Sequence, residues 1–390
     1  MQQSINSQWD ALDKNSLMPS ASHARLWLAP MFEHFHKNNT HLISADSLSD
    51  SCTGSLAGSL TGSLTADNPS LQAITALKQT TLPGGIPLPI AQTWDNGFLF
   101  SGTPLISGND PQGAFSGLLS NARKNMGAKA VLFKKVQHAD RFAQLLEQLS
   151  KDSIAGYQLF NMHQRAALFC GENSGCFDHW FTDNFSRKRA KEYRRLRNRL
   201  AETGNLQSQT WQPSQPVESW IEEFLQLEAA GWKGRSGTAV ACSDEQSAHL
   251  RHALPEMAQK GSLLFWRITL DNKPIASLFG FHQHDQVWLG KMAFDEQLAH
   301  FSPGVLVILD ASKDLFARKD VTMADSSADP DHPMINNIWR DRIDVADYLI
   351  ATPGTSKATF KALIAFEKIW LQARQSAKMI YHLLPQGAKK

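Results

Sequence analysis

The second half of the chain alternates between amphipathic helical segments and strand-like apolar runs. Residues 217–228 predict a helix, because their apolar side chains recur at helical spacing. Three apolar runs follow, and the short polar turns between them predict an antiparallel meander. These runs are LLFWRITL (263–270), PIASLFGFH (274–282) and VWLGKMAF (287–294). A helix from Pro303, a short strand at 321–325 and a terminal helix from about Ser356 complete this half.

The first half carries a weaker version of the same alternation. Apolar runs at 98–106, 130–136 and 166–171 predict strands, and the segments 111–125 and 140–150 predict helices. The two halves are similar in size, and both mix helices with strands. We therefore predict a mixed α/β fold (an α+β arrangement on a mixed sheet) built from a duplicated unit.

Composition suggests where the domains begin and end. Within the segment 51–70, three tandem G-S-L-x units cannot bury enough apolar surface to offset their ordering entropy, so we interpret the segment as a mobile insertion or linker. The expected order is a flexible N-terminus, a first domain containing this insertion, a second domain and a tail. The corresponding ranges are 1–20, 21–178, 179–380 and 381–390.

Bulk composition excludes several classes of protein. The chain has 390 residues and a formal net charge of only +2, which argues against a surface built throughout for nucleic acid. Its four cysteines are irregularly spaced and indicate neither a disulfide framework nor a zinc ribbon. The N-terminus lacks the basic and apolar blocks of a signal peptide, and no apolar run is long enough to span a bilayer. These features predict a cytoplasmic protein with no stable membrane insertion.

The motif FSPGVLVILDAS (301–312) follows the third strand of the meander. Ser302 is suited to cap the helix, and Pro303 fits its first turn because its missing N–H costs nothing there. Gly304 would leave room for a ligand close to the backbone. The free N–H groups and dipole of such a helix start favour an anion such as a pyrophosphate. An ordinary capped helix is the alternative interpretation.

The segment FSRKRAKEYRRLRNRLAETG (185–204) predicts a strongly basic helix. Across residues 186–200, eight basic residues accompany a single acid, Glu192, and an apolar stripe runs through Tyr193, Leu196 and Leu200. The basic residues are Arg187, Lys188, Arg189, Lys191, Arg194, Arg195, Arg197 and Arg199. Their surface is either a solvated face or a contact for coenzyme A phosphates, RNA or an anionic membrane.

Five segments, in order, resemble the GNAT-type acetyltransferases of the CelD (cellulose-biosynthesis-associated) group. They are the basic helix with LAETG, LEAAGWKGRSGTA, DNKPIASLFGF, KMAFDEQLAHFSPGVL and ADSSADPDHPMINNIWRDR. The resemblance covers about residues 185–350 and implies two tandem GNAT-like (acyl-CoA N-acyltransferase) domains, the first of them degenerate. The family's Gln/Arg-x-x-Gly-x-Gly/Ala loop is replaced by His300–Val305, where only Gly304 stands between Pro303 and Val305.

The resemblance also implies an acyl-transfer cleft with acyl-CoA, foremost acetyl-CoA, as co-substrate and no metal. A base must take the proton of the attacking amine, and a donor must protonate the leaving thiolate. The expected acid–base residues are Asp325, then His332, with Asp295 at the end of a strand. The expected donor-binding residues are Lys291, Ser302, Gly304 and Val305. In GWKGRSGTAV (231–240), the expected substrate-binding residues are Trp232, Lys233 and Arg235.

Three functions remain open at this point. The first is transfer of an acyl group from coenzyme A to an amine or hydroxyl of a small molecule or saccharide precursor. The second is a Fem-like transferase that takes its donor from aminoacyl-tRNA, a partner that we favour less. The third is a non-catalytic GNAT scaffold that binds a partner or a membrane through the basic helix.

Overall fold

The computed structural model describes residues 5–35, 40–46, 70–81 and 87–383. The G-S-L-x units of the expected insertion lie outside these residues. Within the described residues, no helix has both the length and the apolar character required to cross a membrane.

The first half contains four helices and six strands among the described residues. In chain order they are α1 (Ile5–Lys14), α2 (Arg25–His34), β1 (Thr40–Asp46), β2 (Leu71–Thr81), β3 (Pro87–Thr93), β4 (Leu105–Ile106), α3 (Pro111–Met126), β5 (Ala130–Gln137), α4 (Asp140–Asp152) and β6 (Tyr157–Phe169). Helix α1 buries Trp9 and Leu12, although it lies in the stretch expected to be flexible.

The second half follows with seven helices and six strands in the described chain. They are α5 (Phe177–Asn184), α6 (Arg187–Ala201), β7 (Leu206–Thr210), α7 (Val217–Ala230), α8 (Trp232–Arg235), α9 (Asp244–Gln259), β8 (Leu263–Leu270), β9 (Lys273–Gln283), β10 (Gln286–Phe294), α10 (Pro303–Ala317), β11 (Met323–Asp325), β12 (Asp341–Ala351) and α11 (Lys357–Leu383). The predicted meander is confirmed, since β8, β9 and β10 pair antiparallel.

The predicted strand at 98–106 is mostly wrong, since only Leu105 and Ile106 form a strand, β4. The rest of this segment is irregular, yet Phe98, Leu99 and Phe100 are all buried. The segment is apolar because it packs into the core between the two halves, and not because it pairs with neighbouring strands in the sheet. Helices α3, α4 and α11 match their predicted positions to within a few residues.

One sheet runs through both halves in the order β1-β2-β3-β5-β12-β6-β11-β10-β9-β8-β7. Each half contributes an antiparallel meander and then, after a helix, a strand parallel to the last strand of the meander: β3 with β5, and β10 with β11. The last strands are exchanged between the halves, because β6 pairs with β11 whereas β12 pairs with β5. The mixed α/β fold with duplicated halves is confirmed, while the domain limit near residue 178 stays a prediction.

Candidate active site

Strands β10 and β11 separate partway along their length. They pair only where Gln286–Trp288 faces Met323–Asp325, and β10 then continues to Phe294 beside no strand on that side. A cavity of about 530 Å³ fills the gap, with residues 289–294 on one wall and residues 326–328 on the other. Along the gap β10 has no strand partner on that side among the described residues, although the Met292 carbonyl accepts a hydrogen bond from Lys233 Nζ at 3.2 Å. Backbone groups of β10 that lack a partner there could pair with a bound molecule.

A bulge in β10 shapes the floor of this cavity. The pairing of β10 with β9 shifts register between Leu289 and Met292, which gives Gly290 and Lys291 no regular place in the ladder. Gly290 is needed here, since a Cβ atom would lie 2.3 Å from the ring of Phe279. The bulge thus places Lys291 on the cavity wall.

Most of the cavity lining is apolar, and the charges within it are few. Glu228 is buried; its carboxylate accepts hydrogen bonds from the Lys233 Nζ at 2.8 Å and from the Val240 backbone N–H at 2.8 Å. Lys291 has no ion pair with any described residue, and its Nζ lies 5.2 Å from the centre of the Phe98 ring. Burial lowers the pKa of Lys291. The cavity therefore presents one ammonium group without a paired carboxylate.

The GWKGRSGTAV segment forms the rim of the cavity, partly as helix α8. The Trp232 side chain is 58% exposed at this rim, and its backbone N–H donates to Glu296 Oε1 at 2.6 Å. Arg235 pairs with the other oxygen of Glu296 at 2.5 Å. Gly234 is required by packing, because a Cβ there would lie 1.8 Å from the Ala229 carbonyl oxygen. Lys233 and Arg235, the two cations among the expected substrate-binding residues, therefore already have carboxylate partners.

Asp325 ends β11 and lies behind the cavity wall. Its side chain is 4% exposed, and Oδ2 accepts a hydrogen bond from Arg165 Nη1 at 2.9 Å. Oδ1 accepts from the Ser327 backbone N–H at 2.8 Å. Ser327 lines the cavity in the left-handed region, with φ 54°, and its buried Oγ has no hydrogen-bond partner among the described residues. Asp325 thus orders the turn that places Ser327 in the cavity wall.

His332 lies on the cavity wall, whereas Asp295 is not among the lining residues. The Nδ1 atom of His332 accepts from the backbone N–H groups of Met334 and Ile335, both at 3.4 Å. In the neutral imidazole, this arrangement puts the proton on Nε2. The Asp295 carboxylate instead accepts from the Gln297 N–H at 2.9 Å and caps the short helical turn 296–301.

The start of α10 packs against the cavity wall from behind. Ser302 occupies the N-cap position with φ 55° but makes no side-chain capping bond, so the predicted cap is wrong. A Cβ on Gly304 would lie 3.1 Å from the Phe294 ring and 3.2 Å from Met292 Cε. Gly304 therefore lets α10 approach β10 closely. Val305 donates its N–H to the Ser302 carbonyl at 3.0 Å.

A substitution at Gly304 tests the close packing of α10 against β10. We expect Gly304→Ala to narrow the cavity by pushing Met292 and Phe294 inward, and to destabilise the protein by about 1–3 kcal/mol through overpacking. Urea unfolding measures the loss. If Gly304→Ala were as stable as the wild type, the close contact between α10 and β10 would be contradicted.

The equivalent gap of the first half is occupied by the chain itself. Strands β3 and β5 pair in parallel from Ile90–Gln92 with Ala130–Leu132, and the segment after β3 then folds back over β5. Gly102 lies so close that a Cβ would be 2.0 Å from the Lys134 carbonyl oxygen. At the start of α3, the Asp110 carboxylate accepts from the Gly113 N–H at 3.0 Å and puts a negative charge where an anion would bind. Among the described residues, the second half alone combines an open gap with a helix, α10, whose N-cap side chain makes no capping bond.

Comparison with known proteins agrees with this geometry. Residues 187–331 match the sequence model of the acetyltransferase (GNAT) domain. This part of the chain is therefore similar in sequence to a GNAT domain. The search of curated proteins finds no match.

Solved structures with a similar fold cover nearly the whole chain. FemX has 11% identity and a TM-score of 0.53, over 92% of this chain and 98% of its own. A conserved Bacteroides thetaiotaomicron protein of unknown function has 12% identity and a TM-score of 0.52, over 90% and 98%. The C-terminal domain (DUF2156) of a putative lysylphosphatidylglycerol synthetase from Agrobacterium fabrum has 12% identity and a TM-score of 0.50, over 93% and 95%. At these identities the likeness concerns the fold alone.

Sequence reasoning missed Glu228, Ser327 and Arg165. Glu228 was read only as part of an amphipathic helix, and nothing local to it signals a buried carboxylate. Ser327 lies in ADSSAD, where the acidic residues drew the attention. Arg165 meets Asp325 only because β6 crosses into the second half. No local pattern predicts such a crossing.

Proposed function

We propose that the protein transfers an acyl group, foremost acetyl, from coenzyme A to an amine or hydroxyl of a small molecule or saccharide precursor. The observation that supports this proposal most is the gap between β10 and β11, with its cavity of about 530 Å³ in a GNAT domain. An extended pantetheine arm would lie along the unpaired backbone of β10. The order of the sequence motifs favours the CelD group within this fold.

In this proposal Lys291 directs its positive charge at the reacting carbonyl oxygen. Attack of the acceptor puts negative charge on that oxygen, and a fixed cation in a partly dry cavity stabilises it strongly. Ser327 Oγ, which lacks a partner, donates a hydrogen bond to the donor or the acceptor. Trp232 forms a wall for the acceptor at the cavity rim.

His332 is proposed to stabilise the leaving sulfur. The acceptor nitrogen forms a bond to the thioester carbon, and the carbon–sulfur bond breaks. His332 Nε2–H donates a hydrogen bond to the departing thiolate, which takes up the proton lost by the ammonium formed on the acceptor, so the imidazole stays neutral throughout. Asp325 acts on the turn that carries Ser327 and makes no contact with the substrates. The donor phosphates are assigned to the start of α10, at Ser302, Gly304 and Val305.

We expect acetyl-CoA to raise the melting temperature of the protein. A ligand at 100 times its dissociation constant stabilises by about 2.7 kcal/mol, which corresponds to a rise of a few degrees. Ala328→Trp, which fills the cavity, abolishes the rise, whereas Ala365→Trp on the exposed face of α11 leaves it unchanged. No shift with millimolar acetyl-CoA would overturn the coenzyme A proposal.

A charged-tRNA donor is the second candidate, and helix α6 is the observation that favours it. The stripe through Tyr193, Leu196 and Leu200 is buried as predicted, so the cations face solvent. Of the eight cations on α6, only two form ion pairs with described residues: Arg195 pairs with Glu192, and Arg197 pairs with Asp310. Binding of tRNA that weakens steeply with salt, together with no response to acetyl-CoA, would favour this donor.

A further inference from the structure

Helices α2 and α9 meet at a group of histidine and carboxylate side chains that do not line the β10–β11 cavity. Glu33 and His34 are the last two residues of α2, and His252 faces them from α9. Their potential ligand atoms all lie within 4.8 Å of one another, and no other such group of three occurs among the described residues. Two imidazoles and a carboxylate form a ligand set that binds divalent transition metals.

The distances in this group match those around a tetrahedral zinc ion. His34 Nε2 lies 3.0 Å from His252 Nδ1, and Glu33 Oε2 lies 3.5 Å from the same Nδ1. With zinc–nitrogen bonds of about 2.0–2.1 Å, tetrahedral ligands stand about 3.3 Å apart. These two separations bracket that value and the third lies within 4.8 Å, so side-chain rotations can bring all three atoms onto one ion.

A second carboxylate supports His252 from behind. Its other ring nitrogen, Nε2, lies 3.5 Å from Glu256 Oε1, one helical turn further along α9. Metal-bound histidines usually donate their remaining N–H to a carboxylate, which fixes the ring and raises its basicity. The C-terminal end of α2 adds a favourable dipole for a cation.

We propose that Glu33, His34 and His252 bind one Zn²⁺ ion, with Glu256 as the hydrogen-bond partner of His252. Water occupies the fourth position, because the group is partly exposed to solvent. The ion clasps α2, which belongs to the first half, to α9 of the second half. The ion has no part in acyl transfer, so a test of zinc binding does not depend on whether the proposed function is correct.

The test is binding of Zn²⁺ alone to untagged, chelator-treated protein by isothermal titration calorimetry. We expect one ion per chain with a dissociation constant in the micromolar range or tighter, and a higher melting temperature. Glu256→Gln weakens binding about 10–100-fold, and His252→Ala weakens it further. Glu33→Gln reports on the site without affecting the core, because the Glu33 side chain is 51% exposed. His300→Ala, at an exposed histidine elsewhere, serves as the control and binds normally.

Cobalt substitution identifies the ligands directly. Nitrogen and oxygen ligands give Co²⁺ visible bands without the strong near-ultraviolet band of a thiolate, whereas binding by exposed Cys176 or Cys242 would add that band. The site would be overturned by any one of three results. The first is no zinc binding at a protein concentration on the order of 100 μM, about 100 times a micromolar dissociation constant. The others are a thiolate spectrum, and an unchanged affinity in both His252→Ala and Glu33→Gln.

Discussion

Arg165→Met is expected to lower the free energy of unfolding by about 3–5 kcal/mol, because it leaves a buried carboxylate without its counter-charge. Arg165 and Asp325 are 3% and 4% exposed, and Arg165 also donates to the Phe100 carbonyl at 3.1 Å. Urea unfolding of the two proteins at pH 7 measures the difference. A large fraction of the total stability of an ordinary protein would be lost.

Two further variants separate charge burial from other causes. Removing both charges in Arg165→Met/Asp325→Leu should recover much of the loss, since an apolar pair needs no counter-charge. Arg251→Met breaks an ion pair with Glu222 in which both side chains are nearly half exposed, and it should cost at most about 1 kcal/mol. If Arg165→Met cost no more than Arg251→Met, the buried pair would contribute little to stability.

Lys291→Met is expected to reduce kcat of acyl transfer about 10²–10³-fold, the usual cost of removing one group that stabilises a developing oxyanion. Hydroxylamine serves as a surrogate amine acceptor, and acetyl-CoA as the donor. Methionine fills the space of the lysine stem, so the melting temperature should change little. A kcat within threefold of the wild type would remove Lys291 from the reaction.

The pH dependence of the same step provides a second readout. Burial lowers the pKa of Lys291, so its charge is lost as the pH rises through a value below the ordinary 10.5. Activity that depends on this charge should fall over the same pH range, once the pH dependence of the reactivity of hydroxylamine itself has been subtracted. In Lys291→Arg the guanidinium stays charged, and the fall should disappear even if kcat is lower. A fall that persists unchanged in Lys291→Arg would assign it to another group.

The sequence predicted best those elements whose form depends on their own residues. The apolar runs of β8, β9 and β10 and the Ser-Pro-Gly start of α10 carry local signals, so their places and their antiparallel pairing follow from spacing and turns. The order of the five sequence motifs also led to the GNAT-like fold. Lys291 and His332, both expected in the site, line the cavity.

The remainder depends on contacts between distant parts of the chain. Strand β12 was not predicted, because its partners β5 and β6 belong to the first half and its own sequence does not reveal them. Asp325 ends a strand as expected, but its burial depends on Arg165 from the exchanged strand β6. The need for glycine at position 234 also depends on such a contact, because Gly234 accommodates the Ala229 carbonyl.

The exchange of last strands determines when the protein can fold during synthesis. Strand β5 leaves the ribosome early, but its neighbour β12 is made only after nearly the whole second half. Until then β5 has an unpaired edge, and its core lacks Tyr348, Leu349 and Ile350. An exposed edge of this kind pairs readily with other chains. We therefore expect the nascent first half to be prone to aggregation, and any stop codon before residue 351 should yield aggregated protein and not a smaller folded one.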